Sequence, residues 1–192
     1  MRLKTGLRAA AVAAFVLLCL PYARAQQQEP SSLTRPKVEV KVTAGGAAFA
    51  IEDEDALGHT AVGGAVRVYV SERWSVEPEF MYMRRGEHDR DYFFTPSVVY
   101  DIVEPTRKAV PYVLAGVGVE HHRGNFFGAD FNTGQPFVSD TTFTTWSLGL
   151  GAGVKLFLTD RLFVAPEVRV GREPYARATV SVGYVISGRR RR

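Results

Sequence analysis

The chain is poor in the features that mark thiol, nucleotide-binding and helical membrane proteins. It has one cysteine, Cys19, and so no second thiol for a disulfide or a thiolate metal set. Its longest apolar run, residues 9–20, is twelve residues, well short of the ~20 a helix needs to cross a bilayer. No stretch of useful length repeats with helical period. P-loop, dinucleotide fingerprint, zinc spacing and nucleophile elbow are all missing. Excess charge of one sign is missing too, once the ends are set aside. The chain has 24 basic and 20 acidic residues. Four of the basic ones (Arg2, Lys4, Arg8, Arg24) precede residue 26 and four more form the tail Arg189 to Arg192. The apparent basicity therefore gives no reason to expect a nucleic-acid partner.

The N-terminal segment has the layout of an export signal: basic residues, the apolar run, then Ala23-Arg24-Ala25 as a small-residue cleavage site. Leu18 stands before Cys19 where a lipoprotein signal requires a small residue, so no lipid anchor is expected. Residues 1–25 are thus expected to be a signal peptide and 26–36 (QQQEPSSLTRP) a disordered polar leader. Residues 37–187 are expected to form one domain, with 188–192 a basic tail.

That domain divides into eight alternating segments, at residues 37–50, 61–70, 73–83, 91–102, 109–120, 144–158, 161–170 and 176–186. In each, one register of side chains carries no charge. In the third, Trp74, Val76, Pro78, Phe80 and Tyr82 alternate with Ser75, Glu77, Glu79, Met81 and Met83. A strand sends successive side chains to opposite faces. An oily face with aromatic ends, repeated eight times behind an export signal, predicts an all-β, up-and-down antiparallel barrel with lipid outside and polar groups inside. Trp74, Tyr100 and Tyr184 fall at one rim, and Tyr82, Tyr92 and Trp146 at the other. A soluble lipocalin-like barrel would need the opposite polarity. Short links at 71–72, 104–108 and 159–160 alternate with longer polar ones at 52–60, 84–90 and 121–141; the link at 172–175 is the exception. Short periplasmic turns and longer extracellular loops then put both termini in the periplasm.

Gly63 to Arg84 matches Gly151 to Arg172 without gaps, 88 residues or four strands later, and puts Arg67 with Lys155 and Glu79 with Glu167. These two hairpins, together with the Val110-Pro111-Tyr112-Val113-Leu114-Ala115-Gly116-Val117-Gly118 strand, resemble the OmpA-type eight-stranded outer-membrane β-barrel domain family. The resemblance spans roughly residues 38–186. It implies an outer-membrane location, contact with outer-membrane lipid and lipopolysaccharide, and handling by the barrel assembly machinery during biogenesis. The family's last strand usually ends on an aromatic residue; here Tyr184-Val185-Ile186 is followed by Ser187-Gly188 and four arginines. Pro78, Pro96, Pro111 and Pro166 fall within strands, where β-bulges are expected to accommodate them.

The inward charges are Glu39, Lys41, Arg67, Glu77, Glu79, Asp101, Glu120, Lys155, Glu167, Arg169 and Arg177. Eight strands enclose an interior just wide enough for side chains, so these groups are expected to form a structural plug or, alternatively, the gate of a small low-conductance pore. Inward glycines at 63, 116, 118, 149, 151 and 153 are expected to leave room for water. Glu120-His121-His122 is the best catalytic candidate. Eight-stranded lipid A deacylases use a His/Ser/Glu set with a His-x-Ser pattern, but His122 is followed by Arg123-Gly124-Asn125. Neighbouring histidines also point to opposite faces and would not share one metal. His59 and His88 fall in proposed loops and read as solvated. A lipid-modifying enzyme is therefore the weaker alternative, and no catalytic residue, metal or cofactor is expected. Phe126, Phe127, Phe131 and Phe137 in the 121–141 link are candidate surface contacts, with no partner named by the sequence.

With no cysteine after residue 25, a single introduced thiol reports topology cleanly. On intact cells an impermeant thiol reagent should label Asn132→Cys and spare Thr106→Cys. The reverse pattern would overturn the orientation.

Overall fold

A computed structural model describes residues 35–49, 57–86, 89–105, 107–129, 136–172 and 175–189. The expected signal segment, most of the leader and His88 lie outside these residues. Eight strands follow in chain order: β1 (Arg35–Phe49), β2 (Leu57–Tyr69), β3 (Trp74–Arg85), β4 (Asp89–Asp101), β5 (Ala109–Ala129), β6 (Pro136–Phe157), β7 (Leu162–Gly171) and β8 (Tyr175–Arg189). Each pairs antiparallel with the next, and β8 closes on β1. Closure leaves no sheet edge within the tube, which is what hydrocarbon surroundings require of a strand-built span. The all-β, eight-stranded barrel read from alternation is the fold observed.

The faces sort as the alternation requires. Val42, Val62, Phe80, Phe94, Val117, Trp146, Leu150, Val182 and Ile186 are exposed on the outside. Trp74 stacks near Tyr100 at 4.8 Å between ring centroids, and Tyr82 near Tyr92 at 5.2 Å, forming parts of two aromatic rims. Inside, the lumen is more apolar than expected. Ala47, Ala61, Met81, Met83 and Phe93 pack together toward the β2–β4 rim. Val99, Tyr112 and Leu114 form a second group, and Phe163, Ala165 and Val185 a third, toward the end where β7 starts and β8 finishes.

Three expectations change. The 121–141 link is mostly strand, because β5 and β6 stay paired from Ala109↔Leu156 to Ala129↔Pro136. Its polar residues suggested a loop, but Phe126, Phe127, Phe137, Val138 and Thr141 are β-branched or aromatic and favour extended backbone. The prolines need no bulge. Pro78 faces Pro96 within the β3–β4 ladder, and Pro166 faces Val180 within β7–β8. On the opposite side of each, pairing lapses for two positions and resumes in the same register: Ala65↔Glu79 to Val68↔Val76, Phe94↔Val119 to Ser97↔Gly116, Gly153↔Glu167 to Leu156↔Val164. A missing N–H thus faces an interrupted ladder, not an intact one. Bulges occur instead in β1 against β8, around Pro36, Val38 and Glu39.

Five of the inward glycines (63, 116, 118, 151 and 153), finally, sit at close contacts where a side chain would clash. A Cβ on Gly153 would lie 2.6 Å from the Tyr112 ring, and one on Gly118 only 2.0 Å from the Phe94 carbonyl oxygen.

Leu150 lies near the middle of the lipid-facing side of β6 and is exposed. Leu150→Arg should destabilise the barrel by ~2–4 kcal/mol near the bilayer midplane, measured by urea unfolding in lipid vesicles, whereas Thr179→Ala in the lumen should be mild.

Candidate functional site

Alternation brings the inward charges to one axis, and every one named from the sequence is buried there. They form two connected tiers. In the first, Arg67 on β2 and Lys155 on β6 reach in from opposite walls and share the carboxylates of Glu39 and Asp101. Lys155 Nζ lies 3.3 Å from Glu39 Oε1 and 3.1 Å from Asp101 Oδ2. Arg67 lies 3.9 Å from Glu39 and 3.6 Å from Asp101. The Tyr69 hydroxyl donates to Asp101 at 2.7 Å and accepts from Lys155 Nζ.

The second tier inverts the signs. Glu79 on β3 and Glu167 on β7 face each other from opposite walls and share two guanidiniums. Arg169 lies 3.1 Å from Glu79 and 2.9 Å from Glu167; Arg177 lies 2.8 Å from Glu79 and 3.5 Å from Glu167. Glu77 joins the tiers. It accepts from Arg67 Nε at 2.6 Å and lies 2.8 Å from Lys41, which is 3.5 Å from Glu167. Tyr112, fitted over Gly153, donates to Glu167 at 2.9 Å and lies under the Arg67 guanidinium, 4.6 Å from the ring centroid. Five cations (Lys41, Arg67, Lys155, Arg169, Arg177) and five carboxylates (Glu39, Glu77, Glu79, Asp101, Glu167) thus balance within one network. Buried charges require such pairing, because each unpaired ion would keep its desolvation cost.

The matched pairs Arg67/Lys155 and Glu79/Glu167 therefore do occupy opposite walls, but they do not pair with each other. Glu79 holds Arg169 and Arg177, while Arg67 answers to Glu77, Glu39 and Asp101. Tyr69 and Tyr112 belong to the network although only their inward parity in the sequence could have singled them out.

The histidines separate. His121 points outward, with its Nδ1 2.8 Å from the Thr144 hydroxyl and its ring near Tyr92. His122 turns toward the lumen, where its Nδ1 lies 2.6 Å from Asp91 Oδ1. Glu120 is buried two residues earlier on the same face. His59, expected in a solvated loop, is instead buried in β2 beside Asp89 and Asp91. The hydroxyl beside His121, that of Thr144, lies with it on the outer side of the barrel. Phe131 lies outside the described residues, and Phe126, Phe127 and Phe137 are placed by their strands only.

The sequence matches the outer membrane protein beta-barrel domain family over residues 10–182. No curated protein sequence matches significantly. Among solved structures, Neisserial surface protein A is similar at a TM-score of 0.63 and 13% identity, covering 78% of this chain and 97% of that one. Ail, the attachment invasion locus protein of Yersinia pestis, gives 0.55 and 15%, covering 78% and 98%. The N-terminal barrel of Pseudomonas aeruginosa OprF gives 0.53 and 17%, covering 76% and 96%.

Glu79→Ala should leave Arg169 and Arg177 with Glu167 as their remaining carboxylate within reach. The expected loss is ~3–5 kcal/mol in vesicle unfolding, followed by Trp fluorescence, with no comparable loss for the exposed Glu72→Ala.

Proposed function

Because the chain belongs to the outer membrane protein beta-barrel domain family, we propose that it is a non-enzymatic, non-conducting barrel of the outer membrane with a structural and lipopolysaccharide-contacting role. The observation that carries the first part is the balanced network: ten mutually paired ionised groups occupy the lumen and spend their charge on one another. The OmpA-like structural reading fits this better than a porin-like one. An export signal, biogenesis through the barrel assembly machinery and periplasmic placement of both termini belong to the same proposal.

The lipopolysaccharide role rests on the outer face of one rim. Arg84 on β3 stands opposite Arg90 on β4, which stands opposite Arg123 on β5. All three are exposed. Three arginines opposed across neighbouring strands make a positive strip, which attracts an anionic surface. It lies one step beyond the Tyr82, Tyr92 and His121 rings, where lipid head groups begin. Arg172 also stands over Trp146, 3.8 Å from its centroid.

A gated pore is the second reading. One observation favours it: Arg67 Nη1 and Asp101 Oδ1 face each other at 3.6 Å with no hydrogen bond to either atom, so neither is locked to a partner.

Planar-bilayer recording separates the two. The wild type and Glu79→Ala should both stay at background conductance; reproducible wild-type channels altered by Glu79→Ala would refute the structural reading. In parallel, lipopolysaccharide added to vesicles should raise the unfolding midpoint of the wild type. Arg90→Glu should lose most of that gain, at about 1 kcal/mol per charge near an anionic surface.

A further inference from the structure

Above the apolar floor of Met81, Met83 and Phe93, the β2–β5 rim holds a second cluster that the charge network does not use. Asp89 and Asp91 are two apart on β4 and share its inward face. His122 stands directly across from Asp91 on β5. His59 reaches them from β2, on the far side of β3. His59 Nε2 lies 3.2 Å from Asp89 Oδ2 and 3.6 Å from Asp91 Oδ2. Ligand atoms of His59, Asp89 and Asp91 all lie within 4.8 Å of one another. His122 Nδ1 contacts the other oxygen of Asp91, Oδ1, at 2.6 Å.

We propose that His59, Asp89 and Asp91 form a binding site for a divalent first-row transition ion such as Zn²⁺, with His122 orienting Asp91 from behind. Metal–ligand bonds of ~2.0–2.2 Å in a tetrahedral site set ligand atoms about 3.3 Å apart. The two His59–carboxylate distances bracket that value. Two carboxylates on one face of one strand repel each other, and a divalent ion offsets that repulsion. Asp89 Oδ1 is buried and without a hydrogen bond, with His122 Nδ1 3.8 Å away. The 2.6 Å contact of His122 with Asp91 Oδ1 leaves Oδ2 turned toward His59, the arrangement by which an outer partner fixes a ligating carboxylate. The imidazole selects a borderline ion over Ca²⁺, which needs six to eight oxygens. The fourth position is left to water at the barrel mouth, where a cavity of about 850 Å³ lined by His59, Arg84, Arg85 and Arg177 opens. A bound ion would tie β2 to β4 across β3 at this end.

The test uses the untagged barrel folded in detergent micelles, titrated with Zn²⁺ by calorimetry. Each variant's fold is checked by its altered migration on unheated gels. One Zn²⁺ per chain is expected. His59→Ala and Asp89→Asn should each weaken binding by about 100-fold or more, and His122→Ala by about tenfold, within the range seen for outer partners. His121→Ala, on the outer face, should change nothing, and excess Ca²⁺ should not displace Zn²⁺. Should His59→Ala fail to fold, His59→Gln keeps a polar group there and should show the same loss. Zn²⁺ uptake equal in the wild type and the His59 and Asp89 variants, or ready displacement by Ca²⁺, would overturn the site.

Discussion

Charge compensation across a narrow tube is the constraint on which the rest of this barrel depends. Eight strands bring opposite walls close enough that a side chain from one reaches partners on the other. The chain uses this by placing like charges opposite each other, Arg67 with Lys155 and Glu79 with Glu167, and bridging each pair with two groups of the other sign. Removing any one member leaves at least one buried ion short of a partner. The walls are therefore held together by electrostatics through the centre as well as by hydrogen bonds around the circumference. The neighbouring aromatics keep this arrangement in place: Tyr112 and Tyr69 add hydroxyls to carboxylates, and glycine at 153 makes the room that the Tyr112 ring occupies.

The outer face answers to a different solvent. Valine, leucine and phenylalanine cover it between the aromatic rims, where polar groups would be costly. Pro78, Pro96 and Pro166 on this face are tolerated because each points its missing donor at a lapse in the ladder. The lapses at Arg67–Glu77 and at Lys155 fall at positions whose side chains belong to the central network. Walls with weaker backbone pairing at these points are thus braced from within. The arrangement divides the work: lipid fixes the register of the outside, and ion pairs fix the spacing of the inside.

Most of this was legible because a period of two is a strong signal and burial reinforces it. Strand number, facing and the inward charges of the central network follow from parity alone, as in Glu77, Glu79 and Met81 on one side of β3 and Pro78 and Phe80 on the other. What parity cannot supply is partner choice. It places Glu79 at the depth of its counterpart but does not say that Arg169 and Arg177, rather than Arg67, lie within reach; that depends on strand tilt and stagger. The mixed character of the lumen was hidden because Met81, Phe93 and Phe163 fit either face by chemistry. The His59–Asp89–Asp91 cluster was hidden for another reason. Asp91 opens the expected fourth strand, but His59 and Asp89 fall in stretches that read as loops, and only the extension of β2 and β4 beyond the expected limits brings them into register with it. The same bias, polar composition taken for irregular backbone, concealed the long β5–β6 hairpin.

That hairpin changes what the molecule exposes to its surroundings. β4 accompanies β5 only as far as Arg123, and β7 accompanies β6 only from Gly149 onward. From Gly124 to Ala129 the two strands continue as a free-standing ribbon, on the order of 20 Å along the chain. A tube abolishes edges, but this ribbon restores them. From Pro136 to Ser147 the flank of β6 away from β5 has no neighbouring strand among the described residues. An unpaired flank of this kind presents backbone donors and acceptors to which a further strand can add. The barrel is therefore sealed where it meets hydrocarbon and open to strand pairing where it leaves it.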